Sequence, residues 1–140
     1  MFRGPAPVKE FAGAFGQPLR TGIRLFGRAI LREYPYRDGY LLDDARRFRE
    51  ALDLPLILLG GVTDRTIMDA AMAEGFQFVA MARALLIEPD LPNRLRADPA
   101  ARSACTHCNR CMPTIYSGTR CVLRDPEPVP PQPGGISRST

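Results

Sequence analysis

Residues 55–81 read PLILLGGVTDRTIMDAAMAEGFQFVAM, and their pattern decides the fold. Leu56 to Leu59 is a continuous apolar run, too short for a helix and not alternating. A run of this kind predicts a strand buried on both faces, as in parallel sheets. Gly60 and Gly61 end it. Thr63 or Asp64 then opens a helix, with Ile67, Ala70 and Ala71 inward and Gly75 closing it. A second strand is predicted over Phe76 to Met81. The spacing outside this unit continues the alternation. Ahead of it, a carboxylate of Asp43 or Asp44 caps a helix whose buried stripe is Ala45, Phe48 and Leu52. After it come a short helix from Arg83 to Ile87 and another opened by Pro89 through Leu91 and Leu95. Helix, strand, helix, strand, helix in this order predicts an α/β fold of right-handed β/α units on a parallel sheet. A further short helix is predicted from Leu19 to Arg32, with Ile23, Phe26, Ala29 and Ile30 at helical spacing.

Ligands of parallel β/α folds sit at the carboxyl ends of the strands. Two such ends are visible here. One is Gly60-Gly61-Val62 and the other is Met81-Ala82-Arg83. Glycine lets backbone approach an anion, and free N–H groups at a helix start donate to it. Arg83 adds a permanent charge with a forked donor geometry. The plainer alternative is a tight turn followed by a surface arginine. The coincidence of both signals in consecutive β/α units favours a phosphate site.

All four cysteines fall between residues 105 and 121, in CTHCNRCMPTIYSGTRC. Two, two and nine residues separate Cys105, Cys108, Cys111 and Cys121. Thiolates joined by short loops can hold an iron–sulfur cluster or a zinc ion. Disulfides, free thiols or vestigial residues are the alternatives. The first residues lack a signal-peptide core and no apolar run could span a bilayer. A cytoplasmic location is therefore expected, where clustered cysteines bind metal more often than they pair.

The 140 residues suit one domain, with 45% hydrophobic and 24% charged residues. The net charge of +4 is carried by arginine, since Lys9 is the sole lysine. These arginines alternate with acids around Asp43 to Glu50, which describes a solvated helix face and argues against nucleic acid. His107, the sole histidine, lies between two cysteines and reads as a loop residue rather than a general acid. Tyr116 is a weaker candidate acid.

Taken together, PLILLGGVTDRTIMDAAMAEGFQFVAMARALLIEPDLPNRL (55–95) and CTHCNRCMPTIYSGTRC (105–121) resemble the C-terminal part of the NADH:flavin oxidoreductase, or Old Yellow Enzyme, family. The likeness is to its iron–sulfur members, the 2,4-dienoyl-CoA reductase and trimethylamine dehydrogenase group. It covers roughly residues 40–123. The resemblance implies a TIM (β/α)8 barrel holding FMN, with the FMN phosphate on Gly60, Gly61, Ala82 and Arg83. The family's usual glycine before the arginine is Ala82 here. It implies a 4Fe-4S cluster on Cys105, Cys108, Cys111 and Cys121, although the last gap is shorter than in cluster-binding relatives. It implies NAD(P)H as electron donor and an unsaturated small molecule as acceptor, with no nucleic-acid or membrane partner.

A (β/α)8 barrel takes about 250 residues. Residues 1–98 are therefore expected to form a partial flavin-binding barrel holding about strands seven and eight. Residues 99–123 form the cluster-binding extension, and the Pro- and Gly-rich 124–140 a disordered tail. Such a chain is expected to be a C-terminal fragment of an FMN-dependent oxidoreductase, inactive alone and partnered by the missing N-terminal barrel part. The alternative is a small zinc- or iron–sulfur-binding interaction module without catalysis.

Overall fold

Ile57–Leu59 (β3) and Phe78–Ala80 (β4) pair in parallel, with Leu58 opposite Val79. The computed structural model describes residues 2–127. Parallel strands need a crossover, and Arg65–Ala73 (α4) supplies it. Asp64 starts that helix as the sequence predicts: its backbone is extended and its carboxylate accepts the Ile67 N–H at 3.1 Å. Leu58 and Phe76 pack with Leu42, Val62 and Ala71 into one core cluster. Arg83–Ile87 (α5) and Leu91–Ala97 (α6) bring Ala84, Leu91 and Leu95 together with Ala101 in a second. Met68 and Met81 border both clusters and join them. The last helix begins at Leu91 rather than Pro89, with Pro92 in its first turn.

The strands are covered on one face only, which corrects the expectation of double burial. Leu58 is 1% exposed, whereas its neighbours Ile57 and Leu59 are 57% and 58% exposed and Phe78 is 60% exposed. The apolar run therefore marks two faces suited to burial, of which the described residues cover one. The same correction applies to Leu42–Ala51 (α3). Phe48 stands exposed and only Ala45 of the anticipated stripe packs on the core. Asp43 and Asp44 lie inside its first turn, where they still meet the positive end of the helix dipole, while Leu41 takes the capping position without a side-chain bond.

Leu19–Ile30 (α2) stops two residues short of the predicted end, because Leu31 turns extended. Its Phe26 and Ile30 are exposed. Gly27 packs against Val8 of a helix that the sequence did not reveal, Val8–Gly13 (α1). Phe2–Arg3 (β1) and Glu33–Tyr34 (β2) form a separate parallel pair. After the cysteine loop, Met112–Tyr116 makes a short 3-10 turn. Of the anticipated tail, Arg124 still anchors to the fold through the Ile87 carbonyl, and residues 128–140 lie outside the described residues. No helix among the described residues is long and apolar enough to cross a membrane.

Candidate functional site

A cavity of about 220 Å³ opens at the carboxyl ends of β3 and β4. Gly60, Gly61, Ala82 and Arg83 all line it, so the structure brings the four residues singled out from the sequence to one place. Its other walls include Tyr36, Tyr40, Thr63 and His107. Among the described residues, Arg83 is the one arginine or lysine on its lining. The first N–H groups of α5 have no partner within the helix.

The glycines serve a purpose the sequence does not reveal. Both have positive φ, 102° at Gly60 and 78° at Gly61. A methyl on Gly60 would stand 2.8 Å from the Leu41 side chain, and one on Gly61 would stand 2.6 Å from the Gly39 nitrogen. What a side chain here would strike is the 37–41 segment, which also supplies Tyr40 to the cavity wall. Ala82, by contrast, has φ of −110°, open to any residue, so the family's usual glycine is not required by the backbone.

The four cysteines line a second, smaller cavity together with Arg83 and Asn109. All four are free thiols and half-buried. The cavity volume is about 20 Å³, close to that of one water-sized probe. Among the described residues, no three Cys, His, Asp or Glu side chains are gathered as ligands for one metal ion. Burial pushes the Cys111 thiol up, as do the neighbouring Cys105 and Cys108, while the Arg83 charge opposes the rise. Binding a metal there therefore includes releasing protons.

His107 lines the larger cavity and neighbours Cys105 of the smaller one. It has φ of 56° in the left-handed region, which turns its ring onto Tyr36 with centroids 3.5 Å apart and planes at 13°. Its Nδ1 lies 3.8 Å from the Cys105 sulfur. Burial lowers its pKa and the nearby Arg83 charge lowers it further, while the Asp38 charge opposes them. The Tyr116 side chain lies outside the described residues.

Tyr36 leads to a network that sequence reasoning missed. The Tyr36 hydroxyl donates to Asp38 at 3.0 Å, and the Thr63 hydroxyl donates to the same oxygen at 2.8 Å. Arg102 donates to the other Asp38 oxygen and also pairs with Asp64 at 2.8 Å. Burial pushes the Asp38 carboxyl up, but the hydrogen bonds from Thr63, Arg102 and Tyr36 and the Arg102 charge outweigh it and hold the pKa below its ordinary value. Only spatial assembly reveals this set, because Thr63 and Arg102 reach Asp38 from distant parts of the chain.

A pH test follows from that direction. A depressed carboxyl stabilises the fold above its unfolded pKa and loses that stabilisation as pH falls through the folded value. Asp38→Asn keeps an acceptor for Thr63 and loses the charge facing Arg102. Urea unfolding should show wild type more stable than the variant at pH 7. The gap should shrink once pH drops below the ordinary value of 3.8. A gap unchanged down to pH 2 would show that the charge contributes nothing.

The chain is similar to a 4,4'-dithiodibutanoate disulfide reductase of Rhodococcus erythropolis, with 48% identity over 124 residues. That alignment takes in 89% of this chain and 31% of the relative, so the chain spans under a third of the length of the curated protein it matches. No family model matches the sequence. No solved structure matches it. The 48% identity nevertheless makes the chain a homologue of part of a disulfide reductase, an enzyme whose reaction is an oxidoreduction.

Proposed function

We propose that the chain supplies the FMN-phosphate end and the cysteine-held redox centre of an FMN-dependent NAD(P)H oxidoreductase of the Old Yellow Enzyme type. In this reading the β3–α4–β4–α5 run is the last part of a (β/α)8 barrel, and the exposed face of Ile57, Leu59 and Phe78 looks into the barrel interior. The observation that carries the proposal is the convergence of Gly60, Gly61, Ala82 and Arg83 on one cavity at the ends of adjacent parallel strands. A volume of about 220 Å³ suits the phosphate arm of a flavin and not the whole molecule. The ring and the substrate then belong to the remainder of the longer enzyme.

FMN, when bound, supplies the hydride chemistry. This chain's residues bind and orient its phosphate. Arg83 neutralises the dianion with forked donors, the first turn of α5 adds N–H groups, and the Tyr36–His107 stack walls the cavity. Cys105, Cys108, Cys111 and Cys121 hold a 4Fe-4S cluster in this reading. The donor set fits it in kind, being four thiols on one cavity.

The similarity to a disulfide reductase makes a carboxylate-bearing disulfide the favoured acceptor, ahead of an activated carbon–carbon double bond. The balance is simple: a disulfide takes up two electrons and two protons, the S–S bond breaks and two thiols leave. A second reading, a zinc-binding module without catalysis, draws on the fact that the cysteine cavity as it stands has room for little more than one ion.

The test uses the full chain after anaerobic incubation with iron and sulfide. We expect iron and acid-labile sulfide in equal amounts, with broad visible absorption. We also expect weak FMN binding that inorganic phosphate displaces, and no binding of riboflavin, which lacks the phosphate. Stoichiometric zinc without sulfide would establish the module. Equal affinity for riboflavin and FMN would overturn the phosphate site.

A further inference from the structure

One buried side chain touches both cavities' machinery and is not among the residues the sequence singled out. Asn109 is 4% exposed and lies between Cys108 and Cys111. Its Nδ2 donates to the carbonyl oxygens of Arg3 at 3.1 Å and Pro5 at 3.0 Å. Its Oδ1 accepts a short hydrogen bond from Arg83 Nη1. Both amide protons and the amide oxygen are therefore engaged. Arg83, the group it holds, lines the anion cavity and the cysteine cavity alike.

Few other residues could do this. Asn109 has φ of 59°, a conformation that favours Gly, Asn and Asp. Glycine would make none of the three side-chain bonds. Aspartate would accept from Arg83 but set a carboxylate against two carbonyl oxygens. Asparagine alone of the three donates to one side and accepts from the other.

We propose that Asn109 is a positioning residue that couples occupancy of the cysteines to anion binding at Arg83. The inference rests on the reading of the two cavities given above. Cys108 and Cys111 bracket Asn109, so a centre held by them fixes its backbone, and the amide then fixes the guanidinium. An arginine ordered in advance gives up less freedom when a phosphate ester arrives, and so binds it more tightly. By thermodynamic linkage the bound phosphate must strengthen retention of the centre by the same factor.

FMN affinity of the full chain, before and after anaerobic loading with iron and sulfide, tests this. Loaded wild type should bind FMN about tenfold more tightly than unloaded wild type, within the usual range of couplings between sites. Asn109→Gly removes the amide while suiting the backbone conformation. In that variant the ratio should fall to about one, with FMN and iron still bound. A ratio that persists in the variant overturns the proposal, and so does a wild-type ratio of one. If the variant does not fold, the reciprocal measurement on wild type decides: inorganic phosphate must slow the loss of iron to a chelator, and no effect overturns the coupling. Failure of FMN to bind in either state is a different result. It removes the phosphate site itself, and the coupling with it.

Discussion

Arg83→Gln is expected to weaken FMN binding by about a hundredfold, while the chain stays folded. Among the described residues Arg83 is the only lysine or arginine on the anion cavity, and it is half-buried there. Hydrogen bonds to charged groups contribute about 1.5–3 kcal/mol each, and a forked guanidinium makes two to a phosphate. Loss of both, partly offset by the glutamine amide, amounts to about two powers of ten. Arg83→Lys should fall between, since it keeps the charge and loses the fork. Inorganic phosphate serves as the parallel probe and should weaken likewise, because it makes the phosphate contacts and no others. An Arg83→Gln chain that binds FMN as wild type does would place the phosphate elsewhere. The same substitution should also make the cysteines harder to load at a given pH. The Arg83 charge opposes the upward push of burial on the Cys111 thiol, so without it the thiolate is less accessible.

The parts of this site that were legible in the sequence are those with local signals. Leu56 to Leu59 betrays a strand, Asp64 a helix start, and Gly60, Gly61, Ala82 and Arg83 the strand ends, each within a few neighbouring positions. The cysteine spacing is likewise local. Non-local partners were invisible. Asn109 meets Arg3 and Pro5 across 106 and 104 positions of chain. Asp38 gathers Thr63 and Arg102 across 25 and 64 positions. The strands β1 and β2 have two residues each, too few to show any period. Periodicity also misled where it was read as burial. Ala45, Phe48 and Leu52 define an apolar face of α3, but spacing alone does not say whether another element covers it. The double glycine was identified for the right place and only part of the reason, because its packing partners lie some twenty residues earlier, at Gly39 and Leu41.

That double glycine gives the second large effect. Gly61→Ala is expected to destabilise the chain by about 3 kcal/mol. A non-glycine residue in a sparsely populated positive-φ conformation costs about 1–3 kcal/mol. The new methyl would in addition lie 2.6 Å from the Gly39 nitrogen and 3.0 Å from the Arg37 oxygen. These are backbone atoms and cannot swing aside as a side-chain tip would. The 37–41 segment must move, and the bond from the Gly39 N–H to the Gly61 carbonyl, now 2.9 Å, goes with it. The same displacement shifts Asp38 and Tyr40, so FMN affinity should fall along with the melting temperature, by about 10 °C for a chain of this size. Ala82→Gly is the contrast: φ of −110° suits alanine, and the change should cost under about 1 kcal/mol. The two readouts separate the two reasons for a glycine here. An unchanged melting temperature with lost FMN affinity would mean that Gly61 is kept bare for the phosphate. A lowered melting temperature in the absence of any ligand would mean that it is kept bare for the chain behind it, with the cavity shaped as a consequence.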